Sequence, residues 1–128
     1  IFLRVNFPTA EFAKPYAQTL DSNGLESGIS WQSEIDELAR NVINSTRKIS
    51  KIVLVGHTDD VDSDESNRIL GSQRVAFIID QLVQRGVSPD ILEGTSQGER
   101  QPLEKRAGES TESWRKRCRR VELIKVNQ

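Results

Sequence analysis

The chain has 128 residues, which suits one domain with a single hydrophobic core. Its 18 basic and 19 acidic side chains give a net charge of −1, so no overall charge attracts nucleic acid or acidic membranes. Hydrophobic residues make up 35% of the chain, and no hydrophobic run approaches the roughly 18 residues that a membrane span needs. We therefore predict one domain over residues 1–128, with no nucleic acid among its partners.

The first seven residues have the alternating pattern of a β-strand. Leu3, Val5 and Phe7 share one side of this strand, so we expect them to face the core. Pro8 ends the strand, and residues 8–30 show little periodicity. We interpret this segment as a long connection with a short helical turn near residues 16–20.

Two amphipathic helices follow, each indicated by hydrophobic residues at intervals of three and four. The first is predicted from residue 31 to about residue 46, behind Ser30 as the N-cap. Its hydrophobic stripe consists of Trp31, Ile35, Leu38 and Val42. The second is predicted from about residue 66 to residue 85, with Gly86 closing its C-terminus. Its stripe consists of Val75, Ile78, Ile79 and Leu82.

Three further strands are predicted in the second half of the chain. Residues 52–55 form a continuous aliphatic run, which favours a central strand covered on both faces. Residues 91–95 and 119–126 are predicted as strands, and residues 103–113 as a polar loop. The resulting order, β-α-β-α-β-β, predicts an α/β sandwich in which the helices pack on one face of a mixed sheet.

An acidic loop leads from the strand at residues 52–55 to the second helix. At roughly 100° per residue, Asn67, Leu70 and Arg74 fall within about 60° of one another on that helix. The planar guanidinium of Arg74 can give two parallel hydrogen bonds to a carboxylate, and Asp59 in the loop can accept from an ammonium. This pattern predicts a site for a ligand that carries both charges. The same charge spacing also fits a structural ion pair between Asp59 and Arg74.

In the same loop, Asp60, Asp62 and Asp64 occupy alternate positions, as the ligands of an EF-hand calcium loop do. However, the glycine position of the EF-hand holds Glu65 here, and the position of its bidentate glutamate holds Gly71. We therefore predict no bound metal. The four acidic residues after Asp59 are interpreted as solvated loop residues rather than ligand contacts.

The chemistry of catalysis finds little support in the sequence. His57 is the only histidine, and no nucleophile or metal motif accompanies it, so we predict no catalytic residues, no cofactor and no enzymatic activity. Cys118 is the only cysteine, which excludes a disulfide within the chain and leaves its role open. Five cations between residues 114 and 120 could contact phosphates, but the nearly neutral net charge argues against a nucleic-acid surface.

Four short motifs occur in order within residues 52–122. They are Gly56-His57-Thr58-Asp59, the set Asn67, Leu70 and Arg74 spaced as N-x-x-L-x-x-x-R, Gly98-Glu99 with Pro102, and Arg119-Arg120-Val121-Glu122. Together they resemble the OmpA-like peptidoglycan-binding domain of outer-membrane proteins, Pal lipoproteins and MotB-type stator subunits. The run Asp59-Asp60-Val61 and the long connection over residues 8–30 are more similar to the stator-type members.

This resemblance implies non-covalent binding of the peptide stem of peptidoglycan, without catalysis. It implies that Asp59 and Arg74 hold the free end of meso-diaminopimelate, where an ammonium and a carboxylate share one carbon atom. It further implies that Asn67 and Leu70 line the pocket, that Thr9 and Ala10 contribute backbone contacts, and that His57, Thr58 and Arg120 support the site.

The resemblance also implies a periplasmic domain that anchors a membrane protein or complex to the cell wall. The sequence contains no methionine, so we expect a fragment or processed form whose tether to the inner or outer membrane lies outside these residues. The alternative is an OmpA-like fold that serves as a protein-interaction or dimerisation module without wall binding. Whether the domain forms a homodimer is left open.

Three residues depart from the pattern of the family. Asp62, Gly71 and Cys118 stand where many members have glycine, serine and asparagine respectively. We expect the aspartate to change the shape of the acidic loop. The other two concern the surroundings of the site rather than its two charged residues.

Overall fold

The computed structural model describes residues 3–127, apart from the side chain of Lys125. The first two residues of the predicted N-terminal strand therefore lie outside the described residues. The elements in chain order are β1 (Arg4–Asn6), β2 (Gln18–Leu20), β3 (Glu26–Ser30), α1 (Trp31–Ile43), β4 (Lys51–His57), α2 (Asp64–Gln84), a 3₁₀ turn (Pro89–Ile91), β5 (Leu92–Gly98), α3 (Thr111–Cys118) and β6 (Arg120–Asn127).

The main sheet has four strands in the order β1-β6-β4-β5. Strand β4 pairs in parallel with β5, to which helix α2 connects it, and it pairs antiparallel with β6. Strand β6 also pairs antiparallel with β1, so the N-terminal and C-terminal strands lie side by side. The predicted mixed sheet and α/β class are confirmed. This arrangement brings the end of β4, the start of α2 and the start of β6 together.

The core lies between the sheet and helices α1 and α2. Leu3, Val5 and Phe7 are fully buried, which confirms the predicted inward side of the first strand. From the helices, the buried hydrophobic residues are Ile35, Leu38, Ala39, Val75, Ile78 and Leu82. Phe77 packs edge-on against Phe7, with ring centroids 6.4 Å apart. The predicted helical stripes thus meet the sheet as the periodicity requires.

The segment over residues 8–30 contains a β-hairpin, β2–β3, and the helical turn predicted near residues 16–20 is wrong. Asp21 explains the turn, because its Oδ1 accepts hydrogen bonds from the backbone N–H groups of Asn23 and Leu25. Across the hairpin, the hydroxyl groups of Thr19 and Ser27 lie 2.7 Å apart. Short, mostly polar strands of this kind leave almost no period-two signal in the sequence.

Residues 103–113 are not a loop throughout, because α3 begins at Thr111. Ser110 caps this helix, its side chain accepting from the backbone N–H of Ser113. The helix is only eight residues long and strongly basic, so it lacks the hydrophobic stripe by which the other helices were found. The N-cap of α1 is Ser30 as predicted, whereas α2 begins two residues earlier than predicted, behind Ser63.

Helix α2 approaches the sheet most closely where two glycines face each other. A Cβ atom on Gly56 of β4 would lie 2.0 Å from the carbonyl oxygen of Gly71, so only glycine fits there. A Cβ atom on Gly71 would lie 2.2 Å from Oγ of Ser96 on β5. The glycine at position 71 therefore leaves room for the hydroxyl group of Ser96, which lies against the helix.

We expect Gly71→Ala to lower the free energy of unfolding by about 2 kcal/mol, because overpacking outweighs the better helix propensity of alanine. In a Ser96→Gly background the obstructing hydroxyl group is gone, so the same substitution is expected to cost clearly less. Urea denaturation of the four proteins measures this coupling. Purely additive losses would contradict the packing described here.

Candidate functional site

A small pocket of about 60 Å³ opens where β4 ends and α2 begins. Its lining residues are Thr9, Ala10, Asp59, Val61, Asp62, Asn67, Leu70, Arg74 and Arg119. All six residues that the sequence analysis assigned to ligand contact are among them. A wider surface cleft of about 430 Å³ lies along residues 103–107, but both of its arginines are engaged. Arg117 donates to both carboxylate oxygens of Glu109, and Arg106 donates to the side-chain oxygen of Asn23.

Arg74 is fully buried and hydrogen-bonds to three backbone carbonyl groups beside the pocket. Its Nε donates to the carbonyl oxygen of Glu11 at 2.8 Å, Nη1 donates to that of His57 at 3.0 Å, and Nη2 donates to that of Pro8 at 3.1 Å. A guanidinium has five N–H groups, so one N–H on each terminal nitrogen is left without a partner among residues 3–127. The aromatic ring of Phe7 lies beneath the guanidinium, 5.3 Å away.

The charge of Arg74 persists despite its burial. Desolvation, assisted by the nearby cation of Arg119, lowers the pKa of Arg74 to about 10, while Asp59 acts in the opposite direction. The guanidinium is therefore still positive at neutral pH. A buried cation of this kind, with two N–H groups still free to donate, is suited to bind a carboxylate.

Asp59 lies two residues beyond the end of β4 and is only 7% exposed. Its Oδ1 accepts from the backbone N–H of Val61 at 3.1 Å, and its Oδ2 accepts from Nη1 of Arg119 at 3.2 Å. No ion pair joins Asp59 to Arg74 in the described part of the chain. The structural pairing that the charge spacing allowed is thus absent, and Asp59 has a different cation as its partner.

Arg119 is the site residue that sequence reasoning missed. Besides Asp59, it contacts the carbonyl oxygen of Phe7 through Nε and the hydroxyl group of Tyr16 through Nη2, both at 2.9 Å. It therefore ties the carboxylate of Asp59 to the segment that follows β1. The only sequence signal was the double arginine of the Arg119-Arg120 motif, and the support role was assigned to its second member.

Arg120 lies on the other side of β6, away from the pocket. Its guanidinium donates to the carbonyl oxygens of Cys118 and Gln101 and to the carboxylate of Glu122. Successive residues entering a strand point to opposite faces, which explains why one arginine reaches Asp59 and its neighbour does not. None of these partners lines the pocket, so the support that the resemblance implies for Arg120 stays a prediction.

His57 and Thr58 make hydrogen bonds beside the pocket, mostly through their backbone. The carbonyl oxygen of His57 accepts from Arg74, and the backbone N–H of Thr58 donates to the carbonyl oxygen of Gly98 at 2.9 Å. The imidazole of His57 is 2% exposed and does not line the pocket, and its Nε2 lies 3.6 Å from a carboxylate oxygen of Glu122. The hydroxyl group of Thr58 also donates to the carbonyl oxygen of Asp59 at 2.9 Å, and the supporting roles of both residues stay predictions.

We expect the buried imidazole to make folding sensitive to acid. Burial and the positive charge of Arg120 lower the pKa of His57 to about 4, so between about pH 4 and 6.5 the unfolded chain binds more protons than the folded one. The stability that the fold keeps while His57 is neutral is fully present above about pH 6.5, and it is lost as the pH falls towards 4. Between pH 7 and pH 5 the free energy of unfolding should drop by about 2 kcal/mol.

Urea denaturation of wild type and His57→Gln at both pH values measures this contribution. The variant should lose most of the decline, because glutamine does not titrate. An equal decline in both proteins would show that the carboxylates, and not His57, cause the acid sensitivity.

The backbone around the pocket includes two residues with positive φ that are not glycine. Ala10 has a φ of 62° and Asp62 a φ of 87°. Arg74 fastens the segment that contains Ala10, because it bonds the carbonyl oxygens of Pro8 and Glu11 on either side. Asp62 has a positive φ, the backbone conformation that glycine adopts most readily, and the change of loop shape expected for this aspartate stays a prediction.

Asn67 presents the clearest unsatisfied group in the pocket. It is 2% exposed, and its Nδ2 is buried without a hydrogen-bond partner among the described residues. Burying an amide donor unpaired costs about 1–3 kcal/mol, and such groups in folded proteins call for an explanation. Because Asn67 lines the pocket next to Leu70 and Arg74, a ligand oxygen would satisfy this donor.

The remaining acidic residues of the loop differ in where they point. Asp60 pairs with Arg115 at 2.7 Å and Asp64 pairs with Arg100 at 2.8 Å, both on the exposed surface as predicted for solvated residues. Asp62, in contrast, lines the pocket. Within residues 3–127, no group of three or more histidine, cysteine, aspartate or glutamate residues could hold a metal ion.

The basic run over residues 114–120 is largely engaged in contacts within the domain. Its four arginines bind the carboxylates of Asp60, Glu109, Asp59 and Glu122 in turn. The ammonium of Lys116 lies over the ring of Tyr16, 4.9 Å from its centre. These contacts argue against the phosphate-binding interpretation. In the part of the chain that the structure describes, no helix is long and hydrophobic enough to cross a membrane.

Comparison with protein families decides the class of this fold. The model of the OmpA family matches residues 27–116, from β3 into α3. The chain belongs to the OmpA family. The match includes Asp59, Asn67 and Arg74, while the segment with Thr9 and Ala10 precedes it and Arg119 follows it.

Individual members of the OmpA family are similar in sequence to more than half of this chain. The chain is 41% identical to the peptidoglycan-associated lipoprotein of Pseudomonas aeruginosa over 75 residues. These residues cover 59% of this chain and 43% of the lipoprotein. The chain is 32% identical over 72 residues to outer membrane protein A of Shimwellia blattae, covering 56% of this chain and 30% of that protein. The chain thus spans less than half the length of these relatives.

Solved structures of OmpA-like proteins share the fold at lower identity. The peptidoglycan-associated lipoprotein from Burkholderia pseudomallei superimposes with a TM-score of 0.68 at 23% identity, over 97% of this chain and 89% of that one. The C-terminal domain of Helicobacter pylori MotB gives a TM-score of 0.64 at 24% identity, over 91% and 83%. At such identities these neighbours establish the fold alone.

Proposed function

We propose that this domain binds peptidoglycan non-covalently through the meso-diaminopimelate of the stem peptide. The observation that carries the proposal is Arg74, a fully buried guanidinium with one N–H left on each terminal nitrogen, in the same pocket as the carboxylate of Asp59. The free end of meso-diaminopimelate carries a carboxylate and an ammonium on one carbon atom. Its two charges complement the two site residues in kind and in number.

Each pocket residue then has a distinct role towards this ligand. Arg74 binds the carboxylate with two parallel hydrogen bonds, and Asp59 accepts from the ammonium. The unpaired Nδ2 of Asn67 donates to a carboxylate or carbonyl oxygen of the ligand, and Leu70 packs against its methylene chain. Thr9 and Ala10, which Arg74 holds in place, supply main-chain contacts from the opposite side of the pocket.

The proposal extends to the biological setting. One relative, the Pseudomonas protein, is named a peptidoglycan-associated lipoprotein, and the shared family supports a wall-binding role for this chain as well. We place the domain in the periplasm, where it anchors a membrane protein or complex, such as an ion-driven stator, to the wall. The domain acts by binding alone and uses no cofactor.

Cosedimentation with purified sacculi tests the proposal. The domain should sediment with walls that contain meso-diaminopimelate and stay in solution with walls that contain lysine at that position, because lysine lacks the carboxylate for Arg74. Equal retention by both walls would refute diaminopimelate recognition. Release of soluble muropeptides by the pure domain would refute a role in binding alone.

The second candidate, a protein-interaction or dimerisation module, is favoured by one surface feature. Three large hydrophobic residues of the segment over residues 8–30 are well exposed: Phe12, Leu25 and Ile29. Analytical ultracentrifugation, with and without Leu25→Ser and Ile29→Ser, tests this candidate. A dimer that these substitutions dissociate, together with no retention on either wall, would favour it over wall binding.

A further inference from the structure

Asp62 gives this pocket a second carboxylate beside that of Asp59. We infer that Asp62 acts with Asp59 on the ammonium of the ligand and makes the site selective for ligands that carry one. The inference rests on the proposed function and adds a specificity residue to it.

The contacts of Asp62 leave most of its carboxylate available. Its Oδ1 accepts from the backbone N–H of Ser63 at 2.9 Å, and its Oδ2 accepts no hydrogen bond from any residue between 3 and 127. Asp60 and Asp64 on either side are paired with arginines on the surface. Asp62 has no such ion pair among the described residues and lines the pocket instead.

The charges that line the pocket show what this carboxylate changes. Arg74 and Arg119 contribute two positive charges, and Asp59 contributes one negative charge. Without Asp62 the pocket would carry one excess positive charge, which favours a simple anion. With Asp62 the charges balance, which suits a zwitterion and strengthens the attraction for its ammonium.

A second observation indicates that a ligand belongs in this pocket. The Nδ2 of Asn67 is buried and needs an acceptor that none of residues 3–127 supplies. The site therefore contains a donor for the anionic part of a ligand. Asp62 provides the corresponding acceptor for the cationic part, beside the one that Asp59 offers.

A charge-deletion experiment on both protein and ligand tests the inference. Calorimetry would compare the tripeptide L-Ala-γ-D-Glu-meso-diaminopimelate with an analogue in which hydrogen replaces the amino group at the free end of diaminopimelate. We expect Asp62→Asn to weaken binding of the tripeptide about three- to tenfold, the effect of one partly exposed charge pair. It should slightly strengthen the weaker binding of the analogue, because the pocket then carries one excess positive charge. Asp60→Asn, the matched control, should change neither.

Asp62→Gly provides a second variant in which folding is not in question. It removes the same charge and relieves the positive φ, so its melting temperature should rise while its affinity for the tripeptide falls as in Asp62→Asn. The inference is overturned if either Asp62 variant binds the tripeptide like wild type, or if both ligands weaken equally. If wild type itself does not bind the tripeptide, the proposed function fails and this inference fails with it.

Discussion

Replacing Arg74 by lysine is expected to weaken binding of the diaminopimelate tripeptide at least about 100-fold, although the positive charge is kept. Lysine offers three rotating donors in place of a planar fork. It therefore cannot bond the carbonyl oxygens of Pro8, Glu11 and His57 and still present two parallel N–H groups to a carboxylate. Calorimetry with the tripeptide and cosedimentation with sacculi measure the loss.

The same substitution should destabilise the fold, because Arg74 is itself a structural element. Leaving buried carbonyl oxygens without donors is expected to lower the free energy of unfolding by about 2–3 kcal/mol. Circular dichroism and urea denaturation show whether the variant is still folded under the binding conditions. Arg68→Lys, an exposed arginine of the same helix, serves as the control and should bind like wild type. Wild-type affinity in Arg74→Lys would exclude the two-point recognition proposed here.

Asp59→Asn is expected to reduce tripeptide affinity by about two orders of magnitude and to destabilise the fold for a different reason than Arg74→Lys does. The amide oxygen can still accept from the backbone N–H of Val61, so the loop keeps its shape. The ligand ammonium, however, loses a charged acceptor. Arg119 becomes a buried cation without its carboxylate, which should cost about 3 kcal/mol in the free energy of unfolding.

The double variant Asp59→Asn/Arg119→Gln separates these two effects. Removing the second charge should recover part of the stability, because no unpaired cation is then buried. Binding should stay low, because Asp59 and not Arg119 receives the ammonium. Recovery of binding together with stability would mean that Asp59 serves only the folded structure. Asp60→Asn, whose partner Arg115 lies outside the pocket, controls for charge alone.

Much of the domain followed from local patterns. Alternation predicted that Leu3, Val5 and Phe7 face inward, and intervals of three and four predicted the buried faces of α1 and α2. Such patterns are reliable where an element is long and half-buried, since its hydrophobic face is then written into the chain. The hairpin β2–β3 and helix α3 were missed because both are short and mostly polar.

The sequence by itself determined which residues could serve a ligand with two charges. Asn67, Leu70 and Arg74 share a helix face because helix geometry is local, and the four ordered motifs that resemble the family pointed to Asp59. Only the tertiary structure decided how these groups are held. Arg119 is 60 residues from Asp59 in the chain, and the two meet because β6 pairs with β4. The pairing of distant strands sets such contacts, whereas the alternation of side chains at the start of β6 turns Arg120 away from the pocket.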